Sequence, residues 1–122
     1  MDSLPQQNAL ALLTGDEAVA WAAQDAGVKL GTGYPGTPST EILETFDKLG
    51  GKAQWSPNEK VALEVAIGVA FAGERALVTM KHVGLNVAAD PLFTVAKIRL
   101  DGALVVVSAD DQIGRASCRE RV

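Results

Sequence analysis

A chain of 122 residues has room for one domain, and with 48% apolar residues it can bury a core rather than stay disordered. Lys and Arg number 11 against 15 Asp and Glu, a formal charge of −4. This argues against nucleic acid or an anionic membrane as a partner, since both need a basic patch. The single cysteine, Cys118, excludes an intramolecular disulfide and any multi-thiolate metal or iron–sulfur site built from this chain alone.

No cationic leader precedes the short apolar patch in residues 1–13, so a secretory signal is not expected. The longest apolar stretch, residues 61–73, is interrupted by Glu64 and is too short to span a bilayer. The expected location is the cytoplasm.

The elements alternate in kind along the chain. Thr14 and Glu17 form a capping box, and the apolar stripe Ala18, Trp21, Ala22 and Ala26 predicts a first helix ending at Gly27. Residues 28–34 read as a short strand running into a Gly/Pro turn. Thr37 is expected to cap a second helix with Pro38 at its first position, its apolar face being Ile42, Leu43, Phe46 and Leu49 before Gly50 and Gly51 stop it.

Residues 53–55 form a second short strand. Ser56-Pro57-Asn58-Glu59 reads as another capping box, and residues 61–73 form a helix apolar almost all round, which implies burial on several sides. A strand at 76–80 precedes a helix beginning near residue 83, which Pro91 is expected to interrupt before it continues over 92–100. Residues 103–108 (ALVVVS) are the clearest strand, apolar at successive positions as in a sheet covered on both faces. Strands alternating with helices at this spacing predict right-handed crossovers and a parallel sheet.

In such sheets ligands lie beyond the carboxyl ends of the strands, so the strand-to-helix turns are where chemistry is expected. Gly33-Tyr34-Pro35-Gly36-Thr37-Pro38-Ser39 is rigid and open to close backbone approach, yet it is neither a phosphate-cradling loop nor a dinucleotide turn. Glu59 has an ordinary reading as the third residue of a capping box. Glu64, alone in an apolar helix, could pair with Lys60 or meet a partner subunit. Lys81 and His82 end a strand and could neutralise a carboxylate or move a proton. Asp110 and Asp111 are two adjacent acids without further oxygen ligands, a weak basis for a cation site. Each also reads plainly as a cap or a solvated turn.

Taken together, these turns resemble one family. The run from Gly33 to Ser39 is similar to the Tyr-Pro-x-Thr-Pro-Ser motif of the 2-oxoacid:ferredoxin oxidoreductases. Residues 56–89, including Lys81-His82-Val83-Gly84-Leu85-Asn86, and Val107-Ser108-Ala109-Asp110-Asp111 look like the alpha subunit of the indolepyruvate branch. The resemblance implies a Rossmann-like three-layer α/β fold with a parallel sheet, the pyrimidine-binding domain of a thiamine diphosphate enzyme, truncated and occupying residues 1–111.

The resemblance also implies roles. Glu59 would share a proton with N1′ of the cofactor's aminopyrimidine, favouring the imino form whose 4′ nitrogen takes the thiazolium C2 proton. Gly33, Tyr34 and Pro35 would lie against the cofactor. Thr37 would bind the 2-oxo acid, with Lys81, His82 and Asn86 near it. The reaction implied is oxidative decarboxylation of an aryl 2-oxo acid, with coenzyme A accepting the acyl group and electrons passing through 4Fe-4S clusters to ferredoxin.

A beta subunit is the implied partner. The sequence has no Gly-Asp-Gly…Asn segment for the Mg²⁺ diphosphate and no ferredoxin-like cysteine set, so Mg²⁺ and the clusters are not expected to be ligated here, and the chain alone is expected to be inactive. Pyruvate or 2-oxoglutarate branches, or a non-catalytic α/β binding module, are the competing readings. Residues 112–122 (QIGRASCRERV) carry three of the five arginines and the only cysteine. Their resemblance to a translated sequencing adapter marks them as an expected non-native tail.

Overall fold

The computed structural model describes residues 10–110. The tail at 112–122 lies outside the described residues. In chain order the elements are α1 (Gly15–Asp25), β1 (Leu30–Gly33), α2 (Thr40–Lys48), β2 (Ala53–Trp55), α3 (Glu59–Phe71), β3 (Arg75–Lys81), α4 (Gly84–Val87), α5 (Ala89–Val95) and β4 (Ala103–Ala109). The four strands form one parallel sheet in the order β2-β1-β3-β4. Strand β1 therefore has its sequence successor on one side and β3 on the other, which places the switch in winding direction between β1 and β3.

Alternation along β3 divides the core in two. Ala76, Val78 and Met80 pack with Ala62, Leu63 and Ala66 of α3 and with Ala88 on one face of the sheet. Leu77 points the other way and joins Ala20 and Ala23 of α1 with Ile42 and Phe46 of α2 and Leu49. Helices thus cover both faces, giving the expected three layers. The buried Thr32 hydroxyl on β1 donates to the Ala62 carbonyl oxygen at 2.8 Å, so a polar side chain in the middle layer is satisfied by the helix above it.

The first helix forms as its sequence predicts. The Thr14 hydroxyl accepts from the Glu17 amide, the Glu17 carboxylate accepts from the Thr14 amide at 2.9 Å, and both halves of the capping box are present. Helices α1, α2 and α3 all end on a glycine of positive φ, Gly27, Gly50 and Gly73. At α1 the Val28 amide bonds the Ala23 carbonyl and the Gly27 amide bonds that of Gln24, a Schellman closure that uses up carbonyls the helix leaves open.

Four local expectations are corrected. Strand β1 starts at Leu30 rather than residue 28, because Val28 is still held in the closure of α1. Helix α2 starts at Thr40, not at Pro38, and Thr37 is not its cap. The Gly36 carbonyl collects the amides of Ser39 and Thr40 and the Ser39 hydroxyl, while the Gly36 amide donates to the Thr40 hydroxyl at 2.8 Å. Residues 36–40 are therefore a self-closed turn, in which the Thr37–Pro38 peptide is cis. Pro91 does not interrupt a helix. It sits buried in the first turn of α5, where a missing N–H costs nothing, and the break falls at Ala88 instead. Strand β4 is not covered on both faces: among the described residues it pairs only with β3, its residues alternate between exposed and half-buried, and Val105 is 56% exposed.

Helix α3 buries Ala62, Leu63, Ala66 and Ala70, but Glu64, Gly68 and Phe71 face outward. The Lys60 ammonium pairs with Asp90 at 3.3 Å, so Lys60 reaches across to α5. No helix among the described residues is long and apolar enough to cross a membrane.

Candidate functional site

The carboxyl ends of the four strands bring together the turns that the sequence singled out. Gly33 ends β1, and its carbonyl oxygen accepts the Ser56 amide at 2.8 Å, joining the exit of β1 to that of β2. Opposite Gly33 in the register is Thr79 of β3. A Cβ on Gly33 would lie 2.7 Å from the Thr79 hydroxyl, 2.8 Å from the Thr79 carbonyl oxygen and 2.9 Å from Leu43. Only glycine fits there, and its role is to let β1, β3 and α2 close into a packed floor. Tyr34, Pro35 and Thr37 rise from that floor into solvent.

The second wall is the start of α3. Asn58, not Ser56, is the N-cap: its side chain accepts the Val61 amide at 2.9 Å. This corrects the expected Ser56–Glu59 capping box and moves Glu59 from the third helical position to the first. The carboxylate of Glu59 is thereby relieved of capping while it stays at the positive end of the helix dipole, where a negative charge is favoured. The Glu59 side chain is half-buried and rests on Gly84, the first residue of α4. A Cβ on Gly84 would come within 2.6 Å of both Glu59 Cγ and Oε2. The Ser56 hydroxyl, displaced from its expected job, is buried with no hydrogen-bond partner among the described residues, as is that of Thr79.

The exit of β3 supplies the third wall. The stem of Lys81 packs against Gly36, with a Cβ on Gly36 falling 3.5 Å from Lys81 Cβ, so the turn after β1 and the end of β3 lie side by side. The His82 amide donates to the Ala109 carbonyl at 3.1 Å, and His82 Nδ1 stands 3.9 Å from the Asp110 carboxylate. Asn86 is exposed on α4. Among the described residues no group of three or more His, Cys, Asp and Glu could hold a metal ion.

Sequence reasoning thus located Gly33, Thr37, Glu59, Lys81, His82 and Asn86 at one edge of the sheet. It placed the turns 56–59 and 81–86 at this edge but did not single out Asn58, Ser56, Thr79 or Gly84 as site residues. Asn58 was legible in principle, since Asn caps as well as Ser. Gly84 was not, because its partner Glu59 is 25 residues away in the chain.

No protein-family model matches the chain. It is 49% identical over 117 residues to the indolepyruvate oxidoreductase subunit IorA of Archaeoglobus fulgidus, covering 89% of this chain and 19% of that protein. Against the IorA subunit of Pyrococcus horikoshii it is 45% identical over 104 residues, covering 82% of this chain and 16% of that protein. The ketoisovalerate oxidoreductase subunit VorB of Methanothermobacter thermautotrophicus is more distant, 29% identical over 79% of this chain and 28% of its own length. Among solved structures, 2-oxoglutarate:ferredoxin oxidoreductase from Magnetococcus marinus, bound to 2-oxoglutarate, coenzyme A and succinyl-CoA, superposes with a TM-score of 0.74 at 21% identity, over 86% of this chain and 18% of that one. This likeness carries the fold. The chain spans less than a fifth of the length of the IorA relatives that it matches. Over that span it belongs to the family of the indolepyruvate oxidoreductase IorA subunits.

Proposed function

We propose that the chain forms the pyrimidine-side wall of a thiamine diphosphate site in an indolepyruvate:ferredoxin oxidoreductase that converts aryl 2-oxo acids to acyl-coenzyme A. The observation that carries this reading is the placement of Glu59. Its carboxylate stands at the first position of α3, released from capping by Asn58 and held over a residue without a side chain, Gly84. The cofactor fits the residues present: a half-buried carboxylate for a ring nitrogen and, in the same strand-to-helix turn, the Ser56 hydroxyl, buried without a partner among the described residues, at the carboxyl edge where α/β sheets take ligands.

When bound, thiamine diphosphate would supply the carbanion that attacks the keto carbon and the electron sink for decarboxylation. Glu59 would share a proton with N1′ of the aminopyrimidine, favouring the imino form. Tyr34 and Pro35, set by the floor at Gly33, would confine the ring. Thr37, with Lys81, His82 and Asn86, would face the 2-oxo acid and bind its carboxylate or carbonyl oxygen. Mg²⁺, the 4Fe-4S clusters and coenzyme A belong in this reading to the rest of the subunit and its beta partner, with ferredoxin as the electron acceptor, and the chain alone would be inactive.

The test is calorimetric titration of thiamine diphosphate into the oxidoreductase reconstituted with the remaining subunit segments and the beta subunit. Saturable binding, weakened about 10- to 100-fold by Glu59→Ala as expected for a lost hydrogen bond to a charged group, supports the reading. Equal binding by wild type and Glu59→Ala overturns the role of Glu59, and the absence of saturable binding overturns the cofactor site.

A further inference from the structure

We infer that Asp110 is a positioning residue for His82, fixing its imidazole with the proton on Nδ1 and leaving Nε2 as the proton acceptor offered at the carboxyl edge of the sheet. Three observations meet here. The His82 amide bonds the Ala109 carbonyl at 3.1 Å, which extends the β3–β4 ladder one residue past its last paired position, Lys81 with Ala109, and fixes the backbone of both residues. Nδ1 is buried and makes no hydrogen bond among the described residues. The Asp110 carboxylate faces Nδ1 at 3.9 Å, outside hydrogen-bond range but within that of an ion pair, on a side chain exposed enough to turn.

A buried ring nitrogen that faces a carboxylate carries the proton, because a bare lone pair facing an anion is repelled and a buried N–H needs an acceptor. A carboxylate facing Nδ1 fixes both the tautomer of a histidine and the orientation of its ring. Among the described residues, the other charged groups at this edge include Lys81, next in the chain, and Glu59, whose carboxylate lies over Gly84, two residues beyond His82. With its imidazole neutral and Nδ1 protonated, His82 therefore offers the Nε2 lone pair to a ligand O–H or N–H and takes a proton from it. The assignment of the ligand as the 2-oxo acid, or a species derived from it, rests on the function proposed above. The tautomer itself does not.

His82 is the only histidine in the chain, so a long-range ¹H–¹⁵N spectrum of the uniformly labelled chain reads its tautomer without ambiguity. At a pH where the imidazole is neutral, wild type and Asp110→Glu are expected to show the Nδ1–H form, and Asp110→Ala the Nε2–H form that free histidine favours. In the reconstituted oxidoreductase, Asp110→Ala is expected to lower kcat for indole-3-pyruvate about 10- to 100-fold. Affinity for thiamine diphosphate should stay unchanged, and Asp110→Glu should restore most of the turnover. An Nε2–H form in wild type, the same tautomer in Asp110→Ala, or wild-type turnover by Asp110→Ala overturns the inference. Failure of the cofactor to bind wild type would instead overturn the proposed function and leave the tautomer result standing.

Discussion

The carboxylate of Glu59 rests on the bare backbone of Gly84, close enough that a Cβ there would sit 2.6 Å from Oε2. One glycine thus determines where the acid can stand. The contact is with a flexible side chain from Cγ to Oε2 and not with backbone, so Gly84→Ala can be absorbed by rotating Glu59 aside, and stability should change by about 1 kcal/mol or less. Affinity for thiamine diphosphate in the reconstituted enzyme should fall about 10- to 100-fold, close to the effect of removing the carboxylate. Titration calorimetry beside urea denaturation separates the two effects, and a stability loss without an affinity loss would detach Gly84 from the site.

Gly33 predicts the opposite pattern. Its neighbours include the Thr79 carbonyl oxygen at 2.8 Å from a built Cβ, and backbone in the middle of a sheet has nowhere to go. Gly33→Ala should destabilise the fold by about 1–3 kcal/mol through overpacking, seen as a lower urea midpoint.

The two candidate caps of α3 can be told apart by stability alone. Asn58 accepts the Val61 amide, so Asn58→Ala should cost about 1 kcal/mol. The Ser56 hydroxyl is buried without a partner among the described residues, and its replacement in Ser56→Ala removes a desolvated polar group. That variant should be neutral or slightly more stable. A loss of about 1 kcal/mol in Ser56→Ala would mean that its hydroxyl is bonded after all.

Asp16, in the first turn of α1, has its carboxyl raised above the ordinary value of 3.8 by burial and then by the neighbouring Glu41 carboxylate, to which it also hydrogen-bonds. The folded state therefore holds this proton more tightly than the unfolded state does. The resulting stabilisation is complete below 3.8 and is lost as pH rises through the raised folded value. Asp16→Asn should flatten the fall in stability that sets in as pH rises above 3.8, measured as urea midpoints across the acidic range. An unchanged slope would remove the Asp16–Glu41 pair as its source.

The alternation of strands and helices, the parallel sheet and two of the helix stops were legible in the sequence because each rests on local physics. Apolar periodicity, the Thr14–Glu17 box and glycines placed after a helix need only neighbours within a few positions. The same local rules misplaced two helix starts that bear on the site. Ser56 and Asn58 are equally good caps, and what decides between them is the bond from the Ser56 amide to Gly33, which keeps residue 56 attached to the sheet. Thr37 and Pro38 look like a cap and a first helical residue, but Gly36 gathers the amides of Ser39 and Thr40 and delays the helix.

The sequence by itself thus determined which residue types stand at the strand-to-helix turns, and through them the family. Only the tertiary structure decided how they meet: Glu59 over Gly84, Lys81 against Gly36, Gly33 between Thr79 and Leu43, and His82 facing Asp110. The reason is that a parallel sheet joins strands through crossovers, so the residues that share its carboxyl edge come from distant segments. Their contacts follow from strand order and register, which no local pattern encodes.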